Sequence, residues 1–172
     1  MADLAQAFGG KFNKIVVRTR TFELGGHTFK VKVPLTSEVE AMNERLKIKD
    51  EEAIEKYYSK LTADLIAHKD DAVEGMDIKF LEHDVILDGR SMREAATHKS
   101  NTDRQITEMF KFLVPEEEGF DMATITYEMI DELFPFSIQV QVMEQIAETI
   151  SPEYSSTRGK SLGQSEGKSK PI

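Results

Sequence analysis

The chain has 172 residues, 40% apolar and 31% charged, which suits one domain with a tail and leaves little room for two full cores. It has no cysteine, which excludes disulfides, thiolate metal sites and a cysteine nucleophile and fits a reducing cytosol. The net charge is −9, and the 18 basic and 29 acidic residues before Glu153 give the body a balance of −11, which excludes coating nucleic acid through a basic patch and favours solubility or a basic protein partner.

The opening "MADLAQAFGGKFNK" lacks the apolar centre of a signal peptide, and no run approaches the roughly 18 apolar residues of a membrane span. A soluble, intracellular protein is expected. Residues Phe12 to Val33 then read as a β-hairpin around Gly25-Gly26, since two glycines supply the positive φ values of a type I′ turn. Pairing across that turn sets Leu24 opposite His27, Phe22 opposite Phe29, Arg20 opposite Val31 and Arg18 opposite Val33 on one face. The other face holds Glu23 with Thr28, Thr21 with Lys30 and Thr19 with Lys32, which is solvent chemistry. The arginines of the first face either extend past a small core or meet an acidic partner, and the structural reading is preferred.

Pro34 ends the hairpin because it brings no ladder donor. Ser37 with Glu40 reads as a capping box opening a helix with Val39, Met42 and Leu46 on one stripe. Asp50 caps a second helix, with Ile54, Tyr57, Tyr58, Leu61, Leu65 and Ile66 at helical spacing. The polar "HKDDAVEGMD" breaks it. "IKFLEHDVILDG" reads as one or two short strands centred on Ile86 and Leu87, and Ser91 with Glu94 is a second capping box. "HKSNTD" interrupts the helix that follows, or starts a new one running through Ile106, Met109, Phe110 and Leu113. The loop with Pro115 and "EEEGFD", in the interval 114–124, is a candidate hinge.

"TYEMIDELF" is a helix stopped by Pro135, since the residue before proline avoids helical geometry. The last helix carries Phe136, Val140, Met143, Ala147 and Ile150 on one stripe and Ile138, Val142 and Ile146 on another. It is either the central core helix or a partly exposed partner surface, and core is the better reading. Residues 153–172 hold too few apolar side chains to offset ordering entropy and read as a disordered polar tail. The fold class expected is therefore α+β, an N-terminal hairpin with one or two further short strands and a mainly helical body, forming a single domain over 1–152.

No catalytic constellation is legible. Neither Gly-Lys-Ser of the tail has the spacing, strand or helix of a phosphate loop. The four histidines are scattered, and in "EHD" only Glu82 and Asp84 could share an ion, without further ligands. Acid pairs lie in polar loops where burial cannot raise a pKa for acid catalysis. A non-enzyme without metal or cofactor is the leading reading, and a small metal hydrolase around Glu82 and Asp84 the weakest alternative.

The lead "TFELGGHTFKVKV" followed by "PLTSEVEAMNERL" resembles the start of tail assembly chaperones of lambda-like long-tailed phages. The segment Asp88, Gly89, Ser91, Arg93, Glu94 and Ala95 is similar to one in that family, as is the small, acidic, mainly helical character with a polar C-terminus. The resemblance covers about the first half of the chain and the tail. It implies a chaperone of the bacterial host's cytoplasm that binds the tape measure protein and keeps it soluble until the tail tube assembles. It also implies a longer product, made by programmed frameshifting on a Gly-Lys codon pair near the end, that recruits tail tube subunits. Gly167-Lys168 matches that arrangement, and Gly159-Lys160 is a second candidate. The partner surface expected is the hairpin face (Arg18, Arg20, Phe22, Leu24, Phe29, Val31) with Met143 and Ile146 of the last helix, and self-association is compatible with it. No nucleic-acid or membrane partner is expected. An acidic DNA-mimic inhibitor and a minor virion structural protein are the alternatives.

Overall fold

A computed structural model describes residues 18–71 and 75–151. Phe12 to Val17 of the expected hairpin, the tail 153–172 and its Gly-Lys pairs lie outside the described residues. The chain has the expected α+β class. In order come β1 (Thr19–Leu24), β2 (His27–Lys32), α1 (Thr36–Lys47), α2 (Glu51–Ala67), β3 (Ile78–Phe80), β4 (Val85–Leu87), β5 (Arg90–Ser91), α3 (Met92–Phe110), a single 3-10 turn (Met122–Thr124), α4 (Tyr127–Leu133) and α5 (Phe136–Ile150). Two compact units divide it, one of residues up to Glu38 with those from Met109, the other Val39–Glu108.

In the first unit the hairpin has the expected register, Phe22 opposite Phe29 and Arg20 opposite Val31. Gly25 and Gly26 sit at φ 60° and 80°, the left-handed pair that a type I′ turn demands and that side chains oppose. The Phe22 and Phe29 rings stack at 5.1 Å. Phe22 and Val31 are buried with Phe110, Ile125, Ile130, Val142 and Ile146. The arginines do not point to an outside partner. Arg20 donates to the carbonyls of Thr149 and Ser151 at 2.7 and 3.1 Å, and Arg18 donates to Val33 O at 3.0 Å and to the Glu38 carboxylate.

Three local readings need correction, and one strand is added. Helix α1 begins at Thr36, so Ser37 lies inside its first turn. Glu38 makes the return half of a capping box instead, accepting the Leu35 N–H at 2.7 Å. Beyond α2, "IKFLEHDVILDG" forms two short strands as expected, and a third, β5, follows it to complete the antiparallel order β3-β4-β5. Asp88 (φ 48°) and Gly89 (φ 78°) form the second tight turn, an Asp-Gly hairpin signal. Helix α3 runs unbroken through "HKSNTD". Thr97, Thr102 and Thr107 donate to carbonyls four residues back and Lys99 pairs with Asp103, while the buried Ser100 hydroxyl has no hydrogen-bond partner. Finally, Leu113 does not continue that helix: it bridges Val31. Lys32 N–H donates to Phe112 O and Val114 N–H to Lys30 O, both at 2.8 Å, so residues 112–114 line the outer edge of β2.

The second unit centres on buried Ile54, Val85, Ala96 and Ile106. Asp50 caps α2 as expected, accepting Ala53 N–H at 3.0 Å. Thr62 lies inside the core while Leu61 and Ile66 face solvent. The threonine is admitted because its hydroxyl donates to Tyr58 O. Buried Asp103 accepts from Tyr57 and Lys99, and Glu108 takes Arg45 at 2.6 Å. Arg104 donates to the carbonyls of Arg45 and Ile48 at the end of α1.

Candidate functional site

The expected partner residues separate by burial. Phe22, Val31 and Ile146 are core, and Met143 is half-buried on α5. Arg18 and Arg20 are held by Glu38 and by the end of α5. Leu24 and Phe29 remain partly open, and they form one wall of a surface groove of about 440 Å³. Gly25 and His27 complete that wall at the hairpin tip, and Phe134, Ile138 and Gln141 form the opposite one.

Each wall has a local cause. The Gly-Gly turn brings Leu24 and His27 opposite each other, and the His27 ring meets Phe29 edge-on at 4.6 Å. On the far side Pro135 keeps Phe134 extended, at φ −123° and ψ 122°. That corner takes Phe134 out of α4 and sets its ring against Phe110 at 5.7 Å. Gln139, next to Ile138 but fully buried, ties the corner down by donating to Asp131 Oδ1 and Phe134 O at 2.9 and 2.8 Å. Leu133 and Phe136, beside the corner in sequence, are 76% and 51% exposed, so unsatisfied apolar surface continues past the groove. His27 also lies 3.5 Å from Glu116, which places a carboxylate at the groove mouth.

Sequence reading missed Phe134 and Gln141 and took Ile138 only as part of a helix stripe. The usable signal was "LFPF": a proline-forced corner flanked by large apolar residues cannot bury all of them.

The Glu82–Asp84 candidate resolves into structure. Asp84 Oδ1 accepts the Val85 and Arg93 N–H groups at 2.8 and 3.0 Å, and Oδ2 accepts the Ser91 hydroxyl at 2.5 Å. Burial pushes the Asp84 carboxyl up, but these hydrogen bonds outweigh it and hold it below its usual value. Glu82 is exposed beside His83. Among the described residues no three His, Asp or Glu side chains are placed to hold a metal ion, and no helix is long and apolar enough to cross a membrane. No protein-family model matches the chain, and no curated protein or solved structure matches it either.

Proposed function

We propose that the chain is a non-catalytic interaction protein of the phage tail assembly chaperone type. It keeps apolar helical segments of a tape measure protein soluble in the cytoplasm of the infected bacterium. The observation that carries this reading is the open apolar groove, built on Leu24 and Phe29 of the hairpin and extended by Phe134 and Ile138. A groove of this size admits two or three large side chains, enough to anchor a client without enclosing it. The exposed apolar corner and half-buried Met143 add adaptable surface for clients of repeated, similar sequence. The proposed longer form, recruiting tail tube subunits, arises at Gly167-Lys168.

Co-expression with a tape measure fragment tests the proposal. The intact chain is expected to move the client from the pellet to the supernatant, and Leu24→Asp with Phe29→Asp to abolish that effect while keeping a native circular-dichroism spectrum. A client that stays insoluble with the intact chain overturns the chaperone reading. Full activity of the folded double variant overturns only the groove. The nucleotides encoding Gly167-Lys168 test the longer form, which requires a slippery heptamer followed by a long open −1 frame.

A further inference from the structure

We infer that the groove is built for a basic amphipathic helix, one with an apolar stripe flanked by lysine or arginine; this rests on the client-binding reading above. The first observation is the charge of the segment that supplies one wall. Between Phe112 and Ser151 the chain has nine acidic residues and no basic one. Two of those carboxylates have places relative to the groove: Glu116 lies against its lining residue His27, and Glu144 follows lining residue Gln141 by one turn on the exposed side of α5. Of the described basic residues of the same unit, Arg18 and Lys32 pair with Glu38, Arg20 sits at the end of α5, and Lys30 is on the hairpin face opposite to that of Phe29.

An apolar floor with an acidic margin discriminates among occupants. An acidic helix or an anionic membrane surface meets like charge at Glu116 and Glu144, whereas a cationic flank gains steering and register. The second observation concerns conformation. An extended peptide would gain affinity by adding to a sheet edge, but residues 112–114 already hold the edge of β2 through Lys32 and Val114. A helix needs no edge, and its i and i+4 side chains stand about 6 Å apart, close enough to enter one groove together.

The test uses the full chain and two labelled helix-forming peptides of about 20 residues with the same leucine stripe, one flanked by lysine and arginine, the other by glutamate. Fluorescence anisotropy is expected to show the basic peptide binding about tenfold tighter, with the gap narrowing as salt rises. Phe29→Asp is expected to weaken both peptides. Glu116→Lys with Glu144→Lys, both exposed positions, is expected to erase the preference while leaving the fold intact. Equal binding of the two peptides, or a preference untouched by the charge reversal, overturns the inference. If neither peptide binds while the chain still solubilises its client, the inference fails and the chaperone reading stands. If the client also stays insoluble, both fall.

Discussion

The Arg20 guanidinium donates to the carbonyl of Thr149 at 2.7 Å, linking the first strand to the last turn of the last helix. Helix α5 has no basic residue of its own in that turn, so its terminal carbonyls and the negative end of its dipole are served from β1. Arg20→Leu is expected to lower stability by about 1–2 kcal/mol, read as a shift in the urea midpoint. Arg20→Lys recovers only part, because both bonds come from Nη1, which stands one bond further from the backbone than a lysine Nζ. An unchanged midpoint for Arg20→Leu rejects the capping role.

Glu38 gives a pH signature. Its carboxylate is held down to about 2, first by the Lys32 hydrogen bond, then by the Leu35 N–H and by Arg18. A carboxyl lowered by folding contributes fully above its ordinary value of 4.5 and loses that contribution as pH falls toward 2. With its side chain a third exposed, solvent screening leaves roughly 1 kcal/mol. Urea midpoints of the parent chain should fall between pH 5 and 2.5 more steeply than those of Glu38→Gln. Parallel curves exclude the cluster as a source of acid sensitivity.

Asp84 organises the strand-to-helix passage of the second unit. Asp84→Ala removes an acceptor from two amides and a hydroxyl and is expected to cost about 2–3 kcal/mol. Hydrogen exchange should speed up most at the amides of Val85 and Arg93. A uniform rise across the chain, without that local excess, indicates that Asp84 acts otherwise.

The stacked pair at the hairpin separates stability from binding. Phe22 is 6% exposed, and Phe22→Ala is expected to cost about 3–4 kcal/mol. Phe29 is only half-buried in the groove wall, so Phe29→Ala costs less, on the order of 1 kcal/mol, yet is the change that loses the client. Equal stability losses with client binding retained in both would remove Phe29 from the site.

Hairpin register was legible because two consecutive glycines admit few turns, and the Asp50 cap because its acceptor lies beside the amides it serves. The third strand of the second sheet was equally local, and the Asp88-Gly89 turn was overlooked. Other features had no local signature. Gln139, Thr149, Thr62, Ser100 and Asp103 are all buried, and a reading that seeks apolar stripes assigns such residues to solvent. Serine, asparagine and aspartate oppose helices on average, which suggests a break in α3, whereas here threonine back-bonding and the Lys99–Asp103 pair carry the helix through the region. The groove joins residues more than a hundred positions apart, Leu24 and Ile138 among them, and only folding brings these together.

The pairing of residues 112–114 with β2 also sets an order of assembly. A two-stranded ribbon is marginal in water by itself, and this one gains its third segment and its covering helix only after the whole of 39–108 has been synthesised. Closing so long a loop slows the search for those contacts, while the inserted unit has all its own segments to hand once Glu108 is made, before either of those partners. The strands β1 and β2 are the first described elements to be synthesised and among the last to acquire their partners.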